Sequence, residues 1–322
     1  MKRRDFLSLA GGSVIAWPLA AIAQKRRPRI GWLVYGGTNL GPIDQSLKDA
    51  LALIGLVEGR SVEIVFRYAN GKSERLAELA AELAAQKPDI LVALGGDVIT
   101  PLFEASGGIP VIGGVSDNPV RTGIAASLAK PGKNFTGVTF LTDEMAAKRI
   151  ELLKEVAPAA QRVAAVFNPL HLDDELTFAK RGADALGIQL IPYAIKSATD
   201  LDTVLRNASA DKADSLFIVA SRLTNFLAPR FAQYGQEKGL PVIAAWREFT
   251  ASGALLSYGP NRTFEARRLA GYVQKVLSGT KPAELPIEQP VKFELVINIR
   301  TAKSLGLSLP PSIVTRADEL IE

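Results

Sequence analysis

The sequence predicts an α/β protein of two doubly wound lobes, and three observations carry that reading. Short, continuous apolar runs recur along the chain, at residues 30–35, 90–94, 109–112, 163–167, 216–219 and 242–244. Each runs into a turn-forming or polar segment, as in Gly36-Gly37, Gly95-Gly96-Asp97, Gly113-Gly114, Asn168-Pro169, Ala220-Ser221-Arg222 and Ala245-Trp246-Arg247. Helical patterns separate most of them. Apolar strands alternating with helices imply a parallel sheet covered on both faces. Ligands in such sheets bind outside the carboxyl ends of the strands.

The elements follow in order. The strand at 30–35 leads into a helix from Pro42, with Leu47, Leu51 and Ile54 on one face. Residues 61–67 alternate, with Val62, Ile64 and Phe66 pointing one way. Ser73 is a suitable N-cap for a helix over 74–86, whose Leu76, Leu79, Ala80 and Leu83 make an apolar stripe. A shorter helix is expected over 97–106 and a strand over 138–140. The 145–157 helix opens the second set of units. Its strands are expected at 163–167, 189–194, 215–219 and 242–244, and its helices at 174–186, 201–208 and 225–238. A strand at 254–258, a long helix at 264–277, a strand at 291–298 and short helices at 301–305 and 313–320 complete the chain.

Composition narrows the function. With residues 1–23 set aside, 299 residues remain, more than one hydrophobic core usually organises. The net charge of +5 is misleading. Residues 1–29 hold seven of the 38 basic and one of the 33 acidic residues, leaving 31 and 32 in the rest. A nucleic-acid binder would carry its basic patch on the fold, so no nucleic-acid partner is expected. No run of about 20 apolar residues lies beyond the leader, so the chain is not expected to span a membrane. The absence of cysteine removes disulfides, thiolate nucleophiles and a lipid-modified cysteine anchor. A lone His171 cannot build a multi-histidine zinc site.

Residues 1–24 read as an address. Arg3-Arg4-Asp5-Phe6-Leu7 resembles the twin-arginine export motif, although ordinary secretion signals can also carry an arginine pair; an apolar stretch follows over 6–19, and Ala21-Ile22-Ala23 is a small-residue cleavage site. Cleavage near Ala23 would release a periplasmic protein.

Candidate chemistry lies in the strand-end loops. The Gly pairs serve a tight turn or a close backbone approach to a ligand. None has dinucleotide or phosphate-loop spacing. No G-x-S-x-G elbow accompanies His171, and Asp173-Asp174-Glu175 at a helix start fit capping better than acid–base work. Asp97, Asp117 and Glu248 supply carboxylates, Arg222 and Arg247 cations, and Tyr35, Phe140, Trp246 and Tyr258 aromatic walls. Such a set suits a small-ligand cleft. An amine would want Asp or Glu; a carboxylate would want Arg or backbone N–H groups.

Four stretches carry a likeness: the leader with Trp17-Pro18-Leu19-Ala20, residues 130–138 (KPGKNFTGV), Ser257-Tyr258-Gly259-Pro260, and the tail, where residues 290–298 (PVKFELVIN) are followed by Thr301-Ala302-Lys303 and Pro310-Pro311-Ser312. In these the chain resembles the ABC-transporter substrate-binding proteins related to the tryptophan/tyrosine-type binding proteins. The resemblance implies a type I periplasmic-binding-protein fold with three crossover strands forming a hinge. Lobe one is then expected at 28–142 plus 256–283, and lobe two at 143–255 plus 284–322. It also implies a small-molecule ligand between the lobes, an inner-membrane ABC permease as partner, a monomer, no cofactor and no catalysis. The loop positions it carries over are Gly37-Thr38, Gly96-Asp97, Ser116-Asp117, Asn168, Ser221-Arg222, Trp246 and Tyr258. One departure is visible: Asn118 stands between Asp117 and Pro119, where relatives run from Asp directly into Pro. The ligand is expected to be an amino acid or a small aromatic or organic acid. Two rivals remain at this level, a periplasmic α/β enzyme and a sensory module for a membrane receptor.

Overall fold

The computed structural model describes residues 26–140 and 143–322. The expected leader, residues 1–23, lies outside them.

Strand alternation sets the first lobe. In β1 (Arg29–Val34), Ile30, Trp32 and Val34 face one core while Leu33 and the following Tyr35 face another. The first core is closed by α1 (Pro42–Leu53), which buries Ile43, Leu47 and Leu51. The second is closed by α2 (Leu76–Ala85) and α3 (Gly96–Ala105). With β2 (Glu63–Tyr68), β3 (Ile90–Leu94), β4 (Val111–Val115) and β5 (Phe135–Thr139), β1 forms a parallel five-stranded sheet of order β2-β1-β3-β4-β5.

The second lobe repeats the plan through α4 (Asp143–Val156), β6 (Arg162–Phe167), α5 (Glu175–Ala185), β7 (Gln189–Ala194), α6 (Leu201–Ala210) and β8 (Ser215–Ile218). Then come α7 (Arg222–Phe226), α8 (Ala228–Lys238), β9 (Val242–Ala244), α9 (Arg247–Ala251) and β10 (Leu256–Pro260). The chain ends with α10 (Arg262–Leu277), β11 (Phe293–Asn298), α11 (Ile299–Ser304), α12 (Pro311–Arg316) and β12 (Glu319–Ile321). The seven-stranded sheet has order β12-β11-β10-β9-β8-β6-β7, and only the β10–β11 pairing is antiparallel. The two parallel-sheet lobes agree with the expected fold class.

The chain crosses between lobes three times. The first crossing falls between β5 and α4. Strand β10, grouped with lobe one in the sequence reading, pairs with β9 and β11 in the larger sheet. The crossing falls after it, because Ala266, Leu269 and Val273 of α10 pack into the core beneath α1. Residues 285–288 stay on the smaller lobe: Ile287 N–H donates to the Leu128 carbonyl (2.7 Å) and Glu288 N–H to that of Gly137 (3.0 Å). The third crossing then leads into β11.

Some local expectations change. Gly113 and Gly114 are strand residues of β4, not a turn. A Cβ on Gly113 would lie 2.1 Å from Ile99 of α3, and one on Gly114 2.4 Å from Phe140. The 225–238 helix is two helices, α7 and α8, broken at Leu227 where Pro229 starts the second. The expected final helix stops at Arg316, and the last residues pair at the sheet edge as β12.

Candidate functional site

The carboxyl ends of both sheets face each other across one cleft, and the lobes touch there. On the smaller lobe, Tyr35 follows β1 and is buried. Its hydroxyl donates to the Gly71 carbonyl (3.1 Å) and pairs with Ser73 (3.0 Å), and burial pushes it up to about 12. Gly95 ends β3 at φ +106, a left-handed turn that glycine tolerates, and Gly96 begins α3. Asp97 lies in the first turn of α3. Ser116 and Asp117 follow β4, both buried. Asp44, on the first turn of α1, is buried as well.

On the larger lobe, Ser221 follows β8 and caps α7. Its hydroxyl accepts from Thr224 N–H (3.1 Å), while Thr224 Oγ1 accepts from Ser221 N–H (2.9 Å). The cap aims Arg222 at the other lobe. Arg222 N–H donates to Asp97 Oδ2 (3.1 Å) and its guanidinium to Asp44 Oδ2 (3.3 Å). Beside it the Phe226 ring meets Tyr35 edge-on at 6.0 Å. Trp246, after β9, is buried with its ring 3.9 Å from the Arg262 guanidinium. Arg262 also lies 5.7 Å from the Phe140 ring and donates to Glu248 Oε1 (3.1 Å); burial pushes its guanidinium down to about 10.

The sequence-predicted residues therefore divide. Tyr35 and Gly37 line a cavity of about 190 Å³ together with Asp44, Arg222, Asn225 and Phe226. Gly96, Asp97, Asp117 and Arg222 meet at the start of α3: a Cβ on Gly96 would stand 2.1 Å from the Asp117 carboxyl, and one on Gly95 2.2 Å from the Arg222 stem. Ser116 adjoins them in sequence, and Phe140 and Trp246 meet through Arg262. Asn168 shapes the loop after β6, accepting from Leu170 N–H (3.0 Å) and, through its carbonyl, from His171 N–H (3.1 Å). Thr38 is exposed. Tyr258 packs against the apolar core of the larger lobe. Arg247 turns outward to a two-pronged pair with Glu319 (2.7 and 2.5 Å). Asn118 builds a turn, its side chain accepting from Val120 and Arg121 N–H (3.0 and 3.3 Å).

Sequence reasoning missed Asp44, Asn225 and Arg262. Asp44 sits in the first turn of an amphipathic helix, where an acid is ordinary. Arg262 carried a signal, since it lies two residues beyond the Ser257–Pro260 segment that leads into a crossing.

His171 is buried and faces Asp173 at 3.4 Å. Burial alone would push its imidazole down; Asp173, Asp97, Asp117 and Glu175 outweigh it and hold it above the ordinary value. Asp117 is pushed up to about 6, chiefly by burial, with Asp97 adding and His171 opposing. Among the described residues, several buried atoms here have no protein hydrogen-bond partner: Asp44 Oδ1, Asp97 Oδ1, Ser116 Oγ, Asp117 Oδ1, Asn225 Oδ1, Arg222 Nε, Trp246 Nε1 and Arg262 Nε. Unpaired buried polar atoms are costly, so acceptors and donors gathered in one cleft describe a site complementary to a small polar molecule.

Residues 37–321 match the family described as "ABC transporter substrate binding protein". The chain belongs to that family. This substrate-binding protein is 22% identical over 260 residues to the tyrosine-binding protein of Clostridioides difficile (strain R20291), across 79% of this chain and 73% of that one. Its fold is similar to a solved ABC domain in complex with L-Trp from Streptococcus pneumonia, with TM-score 0.82, 23% identity, and 92% and 100% of the two chains covered. It is also similar to a conserved domain protein of Vibrio cholerae, with TM-score 0.83, 24% identity and the same coverage. As a member of the family, the protein has a small-molecule ligand and an ABC permease as its counterparts. No helix among the described residues is long and apolar enough to cross a membrane.

Proposed function

We propose that this substrate-binding protein is exported to the periplasm, captures an amino acid in the interlobe cleft, and delivers it to an inner-membrane ABC importer. The reading rests on one observation: buried, unpartnered carboxylate oxygens and guanidinium and indole nitrogens converge from both lobes on one cleft walled by Tyr35 and Trp246. A zwitterion satisfies both kinds of group at once. The ring-bearing walls favour an aromatic side chain, and the names of the relatives above point the same way. The protein binds without turning over its ligand and acts as a monomer. Closure of the lobes around the ligand is a hinge motion through the three crossings. Ligand residues are Tyr35, Gly37, Gly96, Asp97, Ser116, Asp117, Phe140, Asn168, Arg222 and Trp246, joined by Asp44 and Arg262; Ser221 acts through the cap that aims Arg222. Export is carried by residues 1–23.

The test is a thermal-shift panel on residues 24–322, unfolded and refolded to strip bound ligand. Ligand at 100 times its dissociation constant adds about 2.7 kcal/mol, which moves the midpoint by several degrees. The reading predicts such a shift with L-tryptophan, L-tyrosine or L-phenylalanine, and slower uptake of that amino acid in a deletion strain. A panel flat for every amino acid contradicts it.

A further inference from the structure

Among the described residues, no guanidinium pairs with Asp117, a carboxylate of this cleft. Its side chain is only 3% exposed, and its Oδ1 has no hydrogen-bond partner among the described residues. The neighbouring Ser116 Oγ is in the same position. The guanidinium groups of the cleft are engaged elsewhere: that of Arg222 reaches Asp44 and that of Arg262 reaches Glu248, while Asp97 receives the Arg222 backbone N–H. Two ionisable groups act on Asp117: Asp97 on α3, which is like-charged, and His171 from the loop after β6, which is itself drawn to Asp173. The Asp117 carboxyl also presses on Gly96, where a Cβ would lie 2.1 Å from it, so it already fills the space at the start of α3. A ligand carboxylate brought there would be a third negative group beside Asp97 and Asp117. A ligand cation would supply the missing charge.

We infer that Asp117, with Ser116 beside it, receives the ligand's ammonium group, and that this contact makes the cleft specific for amine-bearing ligands. The inference rests on the amino-acid reading above and adds an orientation: amine on the smaller lobe at α3, carboxylate toward Arg222 and Arg262. It also makes capture proton-linked. Burial holds the Asp117 carboxyl near 6, so an ammonium must displace its proton at lower pH. Affinity is then level above about pH 7 and falls about tenfold per pH unit well below 6.

The experiment is titration calorimetry on the refolded mature chain at pH 5, 6, 7 and 8. The probes are L-phenylalanine, L-tyrosine and L-tryptophan, with 3-phenylpropionate (no amine) and 2-phenylethylamine (no carboxylate). Wild type and Asp117→Asn are compared. Expected are binding of an amino acid by wild type with a dissociation constant about tenfold higher at pH 5 than at pH 7, no measurable binding of 3-phenylpropionate, and at least a hundredfold loss in Asp117→Asn. Melting of the variant with wild-type cooperativity, at a midpoint well above the titration temperature, shows that the loss is not unfolding. Binding of 3-phenylpropionate as tightly as phenylalanine, a pH-independent constant, or unchanged affinity in Asp117→Asn overturns the inference while leaving interlobe capture standing. Binding of no probe by wild type overturns the amino-acid reading and this inference with it.

Discussion

Gly96 has no side chain for a reason that lies on another strand. The Asp117 carboxyl, beyond the end of the neighbouring strand β4, occupies the space a Cβ would take. Gly96→Ala should push Asp117 aside, cost about 1–3 kcal/mol of stability and weaken ligand binding at least tenfold; urea unfolding and calorimetry read the two effects. Unchanged values for both would show that the contact is slack. Asp117 also gives a stability prediction with a definite sign. Its pKa is raised in the folded state, so the folded chain holds a proton that the unfolded chain has lost between about pH 4 and 6. Stability from this group is therefore full at low pH and declines as pH rises through that window. Ligand-free Asp117→Asn should melt higher than wild type at pH 7.5 and equal it near pH 4. A variant that melts lower at pH 7.5 would mean that the carboxylate is well paired. Deeper in the larger lobe, Arg149 and Glu175 form an ion pair at 2.8 Å with neither side chain exposed. Glu175 also accepts from Ala220 N–H (3.2 Å), next to the cap that aims Arg222. Arg149→Met removes the guanidinium from that buried carboxylate and should cost about 3–5 kcal/mol in urea unfolding; a loss below about 1 kcal/mol would contradict the account.

At the scale of elements, the fold was legible where apolar runs were long and the site was legible only in part. Strands such as Ile90–Leu94 are continuous apolar segments, and stripes such as Leu76, Leu79 and Leu83 fix their helices, so the sheet plan follows from periodicity. Helices α7 and α9 have five residues each, too few for a periodic signal. The capping pair Ser221 and Thr224 was present in the sequence, yet it reads as an ordinary polar loop until Arg222 is seen to need aiming. Ser221→Ala should cost about 1 kcal/mol through the lost cap and weaken ligand affinity with it, since Arg222 sits on the first turn. A full loss of stability without a change in affinity would separate the cap from the site. Strand β12 escaped because three residues at a sheet edge look like the end of the preceding helix. The pairings that build the cleft were beyond sequence reasoning altogether. Asp44 and Arg222 lie 178 residues apart and meet only when the lobes do. Arg247 was the expected cleft cation and Arg262 was not, and only the packing of Arg247 against Glu319 and of Arg262 against Trp246 reverses them.

At the scale of the whole molecule, the lobes are joined by contacts that opening would break. Arg222 reaches Asp44 and Asp97, Arg121 pairs with Asp174 at 2.7 Å, and the Phe226 ring closes over Gly71 and Tyr35. These contacts combine polar pairs with an aromatic one. The central claim is that a small zwitterion completes them. The measurement that tests it most directly is titration calorimetry of L-tryptophan and L-tyrosine into the ligand-stripped mature chain and its Arg222→Ala variant. The account predicts saturable one-to-one binding of at least one of them with a negative heat-capacity change, weakened at least tenfold in the variant. Binding that Arg222→Ala leaves unchanged, or no binding of either amino acid by a chain shown to be folded, would contradict it.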